Sequence, residues 1–357
     1  MTVPLLSPLL GLRTADLSDA SEAARIADFV RAHPAGTPFH LPAWSLAVAQ
    51  GCGQRSHTLI AERGDGTIEG VLPMTEVRSR LFGRALVSNG FAVGGGILAD
   101  SDTAATVLAE AGWALALKLG CPSLELRGGG VPEGDWIAEE GAYLGFTRPL
   151  AVSDEAELTA IPRKQRAEVR KALALDLDVT VGSGAEDMKA HYAVYAESVR
   201  NLGTPVFPAK LFRSVLATFG DDADILTIRS AGTPVASVLS LYHAGTVYPY
   251  WGGGTLAARA LRANDRMYFA LMSHARARGC TRFDFGRSKV GTGPAAFKKN
   301  WGFEGVPLRY AKRVKPGDTP REINPLSPKY RLQVVVWKKL PLGIANLVGP
   351  LVSKGLG

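Results

Sequence analysis

Cysteine is scarce in this chain. Three occur in 357 residues, at Cys52, Cys121 and Cys280, and no two stand at CxxC spacing. Neither a disulfide framework nor a thiolate zinc site is implied, and a reducing, cytoplasmic compartment suits this usage. The six histidines are scattered. Motifs with a fixed chemistry are also missing: no HExxH, no GxSxG elbow, no GxGxxG after the first strand and no GK[ST] closing a glycine loop. Zincins, α/β-hydrolases, Rossmann enzymes and P-loop NTPases are thereby set aside. Long apolar runs are absent too, since spanning a bilayer takes roughly 20 residues. The opening MTVPLLSPLLGLR has no cationic leader and is broken by prolines, so residues 1–34 read as an N-terminal lead rather than a signal peptide.

What is present is ordinary for a globular protein: 46% hydrophobic and 21% charged residues, with length enough for two domains. The net charge is +8 and the pI about 9.4. Such a balance suits phosphorylated substrates, nucleic acid or an anionic membrane face, without choosing among them.

An internal repeat organises the chain. GTPFHLPAW from Gly36 matches GTPVFPAKLF from Gly203, and TLIAERGDGTIEGVLPM from Thr58 matches ILTIRSAGTPVASVLSL from Ile225, both at an offset of 167. GCPSLELRGG from Gly120 then matches GCTRFDFGRS from Gly279 at an offset of 159. Each copy predicts the same order. A helix follows the GTP turn (41–50; 209–219), then a hairpin turning at Gly64–Gly66 or Ala231–Gly232. A strand ends in glycines (94–96; 252–254), and a long helix closes at Gly120 or Gly279. A final strand covers 124–126 or 283–285. The expected fold is α/β: two copies of one domain in tandem, each a mixed sheet flanked by helices. Residues 35–150 form the first domain, 151–310 the second, and 311–357 a proline-rich, then amphipathic tail. Cys121 and Cys280 fall at equivalent places and read as core thiols.

The copies differ after the last strand, where the second continues FGRSKVGTGPAAFKKNWGF. That makes the second copy the better candidate for an active site. Alternation sets Phe283 and Phe285 on one face of the strand and Asp284 on the other. A buried acid there needs a partner, such as Arg287, or a catalytic task; Glu125 holds the same place in copy one. The loop 286–293 offers backbone N–H groups to an anion, with Arg287 and Lys289 beside it. Tyr248, Tyr250 and Trp251 line an acceptor cleft or pack a core. Arg259 and Arg262 precede a helix N-terminus, where phosphate is favoured. Arg163, Arg166 and Arg170 share a helical face flanked by Lys164 and Lys171. That stripe faces water, or reads phosphates of a lipid-linked, nucleotide-linked or RNA substrate. The tail from Tyr330 carries Trp337, Lys338, Lys339 and aliphatic clusters, broken by Pro341 and Pro350. Docking on the protein's own body and an interfacial contact with the inner membrane are its two readings.

TVYPYWGGG (Thr246–Gly254), the helix ending RARGC, FDFGR, AFKKNWGF and the segment IPRKQRAEVRKAL from Ile161 resemble the FemAB family over roughly residues 36–310. The pattern is closest to FemAB-related proteins associated with PEP-CTERM and exopolysaccharide loci. Phe283, Asp284, Phe285 and Gly286, then Phe297, Lys298, Trp301, Gly302 and Phe303, stand at that family's YDFGG…FKxxFGG positions, Phe303 replacing a glycine. The resemblance implies a tandem duplication of GNAT-like (acyl-CoA N-acyltransferase-like) domains, and acyl or aminoacyl transfer to an amine of a peptidoglycan or exopolysaccharide precursor. Lys298, aided by Lys299, would stabilise a developing oxyanion or bind a phosphate. It implies no tightly bound cofactor and no metal. The acyl donor, aminoacyl-tRNA or acyl-CoA (or an acyl-carrier protein), is a co-substrate. The partners would be a phosphorylated envelope precursor, tRNA as donor and the inner membrane at its surface, with no DNA. GGTLAARALRAND (Gly253–Asp265) lacks the Q/R-x-x-G-x-G/A loop that grips acetyl-CoA in simple GNAT enzymes. A non-catalytic scaffold on the same fold is the remaining alternative.

Overall fold

The computed structural model describes residues 10–79, 82–318 and 328–357. Residues 1–9 of the opening segment and residues 319–327 of the tail lie outside the described residues. The strands are β1 (Gly11–Thr14), β2 (Arg55–Glu62), β3 (Ile68–Ser79), β4 (Gly83–Ser88), β5 (Leu98–Ala99), β6 (Ser123–Arg127), β7 (Ile137–Pro149), β8 (Asp178–Gly182), β9 (Ala223–Ser230), β10 (Thr233–His243), β11 (Thr246–Gly254), β12 (Arg282–Lys289) and β13 (Gly305–Val314). The helices are α1 (Ala20–Ala32), α2 (Pro42–Cys52), α3 (Asp102–Lys118), α4 (Asp154–Ala160), α5 (Arg163–Leu173), α6 (Ala185–Leu202), α7 (Ala209–Phe219), α8 (Ala263–Ala277), α9 (Gly293–Asn300), α10 (Pro328–Lys339) and α11 (Leu342–Ser353).

The repeat folds as expected, but the two copies share a single sheet. Its order is β1-β2-β3-β4-β6-β13-β7-β12-β11-β10-β9-β8, with β5 beside β3. The middle of that order is an exchange. β7, which ends the first copy, pairs with β12 of the second; β13, which ends the second, pairs with β6 of the first. β7 and β13 also pair with each other. Each half thus completes its sheet with a strand of the other.

Pairing is antiparallel except for β4 with β6 and β11 with β12. These two parallel pairs hold only briefly, at Leu86↔Leu124 and Val87↔Glu125, and at Thr246↔Arg282 and Val247↔Phe283. Beyond those residues the strands part, so each half carries a V-shaped split. The unpaired N–H and C=O groups along such a split must find other partners.

One core is common to both halves. Ile26 and Val30 of α1, Trp44 and Val48 of α2, Tyr195 of α6 and Phe212 of α7 pack with Ile60, Ile225 and Trp251 of the sheet. The α2–α7 crossing is a close seam: a Cβ at Gly51 would collide with the backbone of Leu211. On the opposite face each half has its own core, α3 over β2, β3, β4 and β6, and α8 over β10, β11 and β12. Cys121 and Cys280 are buried in these two cores, and Cys52 in the common one.

Local chemistry accounts for the helix ends. The side chains of Asp19, Ser101 and Ser153 accept from Ser21, Ala104 and Ala156 N–H at the starts of α1, α3 and α4. Two expectations are corrected. Gly94–Gly96 do not end a strand, because β4 stops at Ser88. The basic stretch after Phe285 is not a loop, because β12 runs on to Lys289. Asp284 pairs with Thr147 and Arg287 with Gly145, which leaves one extra residue in β12. Gly286, at φ +66°, absorbs it as a bulge.

Candidate active site at the split of the second half

The split opens at Tyr248 on β11 and Asp284 on β12. Alternation holds as expected: Phe283 and Phe285 enter the α8 core, while Asp284 faces the other side with Tyr248. Burial lifts the Asp284 carboxyl above its usual range; the Gly286 N–H, at 2.7 Å, and the charge of Lys298 pull the other way. Arg287 is not its partner. The bulge turns Arg287 toward the seam between the halves. There its guanidinium lies 4.6 Å from the Tyr143 ring centroid and donates to Tyr310 Oη at 2.7 Å. Neither tyrosine is legible from the sequence, because each lies on an exchanged strand and belongs to no motif.

α9 supplies Lys298. Phe297, Trp301 and Phe303 anchor that helix and its exit against Tyr268, Phe283 and Phe285, so the aromatic positions of the FK…WGF stretch are packing residues. Phe303, where the resembling family has glycine, carries the Arg148 guanidinium 4.6 Å above its ring. Lys298 Nζ donates to the carbonyls of Arg287 (2.9 Å) and Gly286 (3.3 Å). It lies 5.3 Å from the Phe146 ring centroid. Burial pushes this ammonium down to about 8, while Asp284 holds it up. Lys299 points to solvent, and Lys289 is half-buried at the end of β12.

The three aromatics of β11 stand at the meeting of the halves. A bulge in β11 opposite Leu239 and Ser240 puts Tyr250 and Trp251 into the same core. Trp251 stacks on Trp44, and Tyr250 contacts Phe39 and Trp44. Tyr250 Oη donates to the Phe91 carbonyl at 2.6 Å, and Tyr310 Oη to that of Val93 at 2.9 Å. A first-half segment is thereby fastened beside the second-half split. Tyr248 is only half-buried and stays at the mouth.

The remaining basic candidates collect elsewhere, at the N-terminus of α8. Arg262 Nε donates to Glu168 at 2.6 Å, and Arg259 is exposed. α5 packs on α8 within the second half rather than between the halves. Arg163 and Arg170 face solvent, whereas Arg166 donates to the carbonyls of Thr159 (2.7 Å) and Ile161. Acids already occupy this corner. Glu197 accepts from the Leu256 N–H at 2.7 Å, and Asp265, raised to about 6 by burial, accepts from Gln165.

The first half has closed its own split. Ser88 Oγ accepts from the Arg127 N–H at 2.7 Å. Gly96 lies so near the Gly128 carbonyl that a Cβ would collide with it. Glu125, equivalent to Asp284, is held near 2 by Arg127 and Lys312 despite its burial. A cavity of about 720 Å³ does exist in this half, beside the start of α3, but Asp100, Asp102 and Glu133 edge it. No group of three or more His, Cys, Asp or Glu among the described residues is placed to hold a metal ion.

Residues 162–299 match the family model of the acetyltransferase (GNAT) domain. No curated protein sequence matches the chain. Solved structures similar in fold include FemX, at 15% identity and TM-score 0.65 over 84% of this chain and 96% of that one. Another is the C-terminal domain (DUF2156) of a lysylphosphatidylglycerol synthetase from Agrobacterium fabrum, described as putative. It is 14% identical, with TM-score 0.56, over 84% and 93%. A tandem GNAT protein from the clavulanic acid biosynthesis pathway is 11% identical, with TM-score 0.55, over 87% and 100%. The chain therefore has the tandem GNAT fold, and the stretch that matches the acetyltransferase (GNAT) domain model lies in its second half.

Proposed function

We propose that this protein transfers an acyl or aminoacyl group to an amine of a phosphorylated cell-envelope precursor, at the split between β11 and β12. The observation that carries this reading is the half-buried Lys298 ammonium, fixed by two carbonyls near an equally half-buried carboxylate, that of Asp284, where two parallel strands part. The diverging strand edges offer N–H and C=O groups to an amide-bearing substrate. In the reaction the acceptor nitrogen bonds to the donor's carbonyl carbon and the carbonyl oxygen becomes an oxyanion. Lys298 stabilises that charge. Asp284 takes the proton that the nitrogen sheds and passes it to the departing oxygen or sulfur as its bond to carbon breaks. No covalent enzyme intermediate is needed.

Aminoacyl-tRNA is the preferred donor, because carboxylates already fill the corner at the start of α8 where a pyrophosphate would sit. The exposed arginines of α5 suit a substrate rich in phosphate. Acyl-CoA acting on an exopolysaccharide amine is the second reading, favoured by the match to an acetyltransferase domain. This reading puts the reaction in the cytoplasm, at the surface of the inner membrane. Ligand-induced thermal stabilisation separates the readings, because a ligand binding only the folded state raises the melting midpoint. A shift with aminoacyl-tRNA or a nucleotide-linked muramyl peptide, followed by label transfer that Lys298→Ala abolishes, is the expected result. A shift with acetyl-CoA alone that Arg262→Ala removes would establish the second reading. Undiminished transfer by Lys298→Ala would overturn the mechanism.

A further inference from the structure

The last helix is built inside out. α11 turns its small residues inward: Ala345 (2% exposed), Gly349 and Ser353 (0%) form a strip along one face. Ser353 Oγ donates to the Val206 carbonyl at 2.8 Å, and Gly349 rests on the same residue. The large aliphatics point out, with Leu347 75%, Leu351 64% and Ile344 49% exposed. α10 also exposes Leu332 and Val336. A helix stabilised only by its own chain would show the opposite arrangement, and large aliphatics left exposed on two successive helices point to an interaction surface. Charge identifies the partner. From Ile323 to Gly357 there is no Asp or Glu, and Lys338, Lys339 and Lys354 lie exposed at the ends of the two helices. Exposed aliphatic side chains with lysines at the helix ends and no acid in the segment match an interface of acyl chains and anionic headgroups.

We propose that the outer face of α10 and α11 docks in the plane of an anionic lipid bilayer, with Ile344, Leu347 and Leu351 immersed and the lysines among the headgroups. No helix among the described residues is long and apolar enough to cross a membrane, so the contact is peripheral. This inference does not depend on the transferase reading.

The test is sedimentation of the full chain with phosphatidylcholine vesicles, with and without phosphatidylglycerol. Binding is expected with phosphatidylglycerol only. It should weaken roughly fivefold for each of Lys338→Gln and Lys339→Gln and fall further in high salt. Leu347→Glu with Leu351→Glu should abolish it at an unchanged melting midpoint, since both side chains are exposed; if that variant fails to fold, Leu347→Ser with Leu351→Ser takes its place. Three results would overturn the proposal. They are failure of the wild type to sediment with phosphatidylglycerol vesicles, undiminished binding by the aliphatic variants, or a dimer in solution that these variants dissolve without any vesicle binding. The last would assign the face to a second copy.

Discussion

Among single residues, Lys298 holds the charge on which the proposed chemistry turns. Its ammonium titrates near 8, against 10.5 for a free lysine, so function and stability respond to pH in opposite senses. Below about pH 8 the side chain is charged, which serves an oxyanion but costs the fold its desolvation. As pH rises through 8 towards 10.5, the unfolded chain holds the proton that the folded one has lost, so that cost is relieved while the catalytic charge disappears. Transfer should therefore decline above about pH 8. In Lys298→Arg, whose charge persists, residual activity should show no such alkaline limb. Lys298→Met removes the buried charge, a gain on the order of 1–3 kcal/mol after allowance for solvent. It also leaves two carbonyls without their donor, a loss of similar size. Stability should then move by no more than about 2 kcal/mol while transfer falls at least a hundredfold. A chemical melt and a rate measurement on one preparation decide the matter; loss of the fold along with the rate would make Lys298 a structural residue.

Among the elements, β12 decides where the charges go. Its single extra residue sends Arg287 to the seam and leaves Asp284 at the split, and Gly286 makes this possible at φ +66°. No atom lies within 4 Å of a Cβ placed there, so Gly286→Ala would meet backbone strain rather than a clash, a penalty of about 1–2 kcal/mol. If the bulge relaxes to escape that strain, Arg287 and Ser288 change faces. Gly286→Ala should consequently melt only slightly earlier and yet lose most of its transfer activity. Retained activity would separate the bulge from the site. This element also shows where sequence reading stops. Phe283–Phe285 is visible as a strand from its alternation, and the Asp284 face with it. A glycine followed by Arg, Ser, Lys and two more glycines reads as a loop, because composition cannot distinguish a bulge from a turn. What keeps residues 287–289 extended is pairing with β7, more than 130 residues earlier in the chain, and no local pattern encodes a partner at that distance. Tyr143, Tyr310 and the Phe91–Val93 segment escaped notice for the same reason.

At the scale of the whole molecule, the repeat was plain in three aligned blocks, but the exchange of β7 and β13 was not. Either strand pairs equally well, on its alternation, with its own half or with the other. The exchange has a mechanical consequence. Without β13, β6 exposes an unpaired edge; without β7, so does β12, and the Tyr143–Arg287–Tyr310 cluster loses one member in either case. The common core adds to this, since α2 and α7 bury their apolar faces against each other across the halves. A chain cut at Val152, which is 93% exposed between β7 and α4, tests the point. Residues 1–152 and 153–357 expressed separately should be insoluble or non-cooperative in melting, because unpaired edges and a bared core favour aggregation. Expressed together they should co-purify as one complex with a single melting transition and measurable transfer. If either half alone gives a sharp transition of its own, the halves are independent domains, and the shared seam is not what holds Arg287 and the second-half split in place.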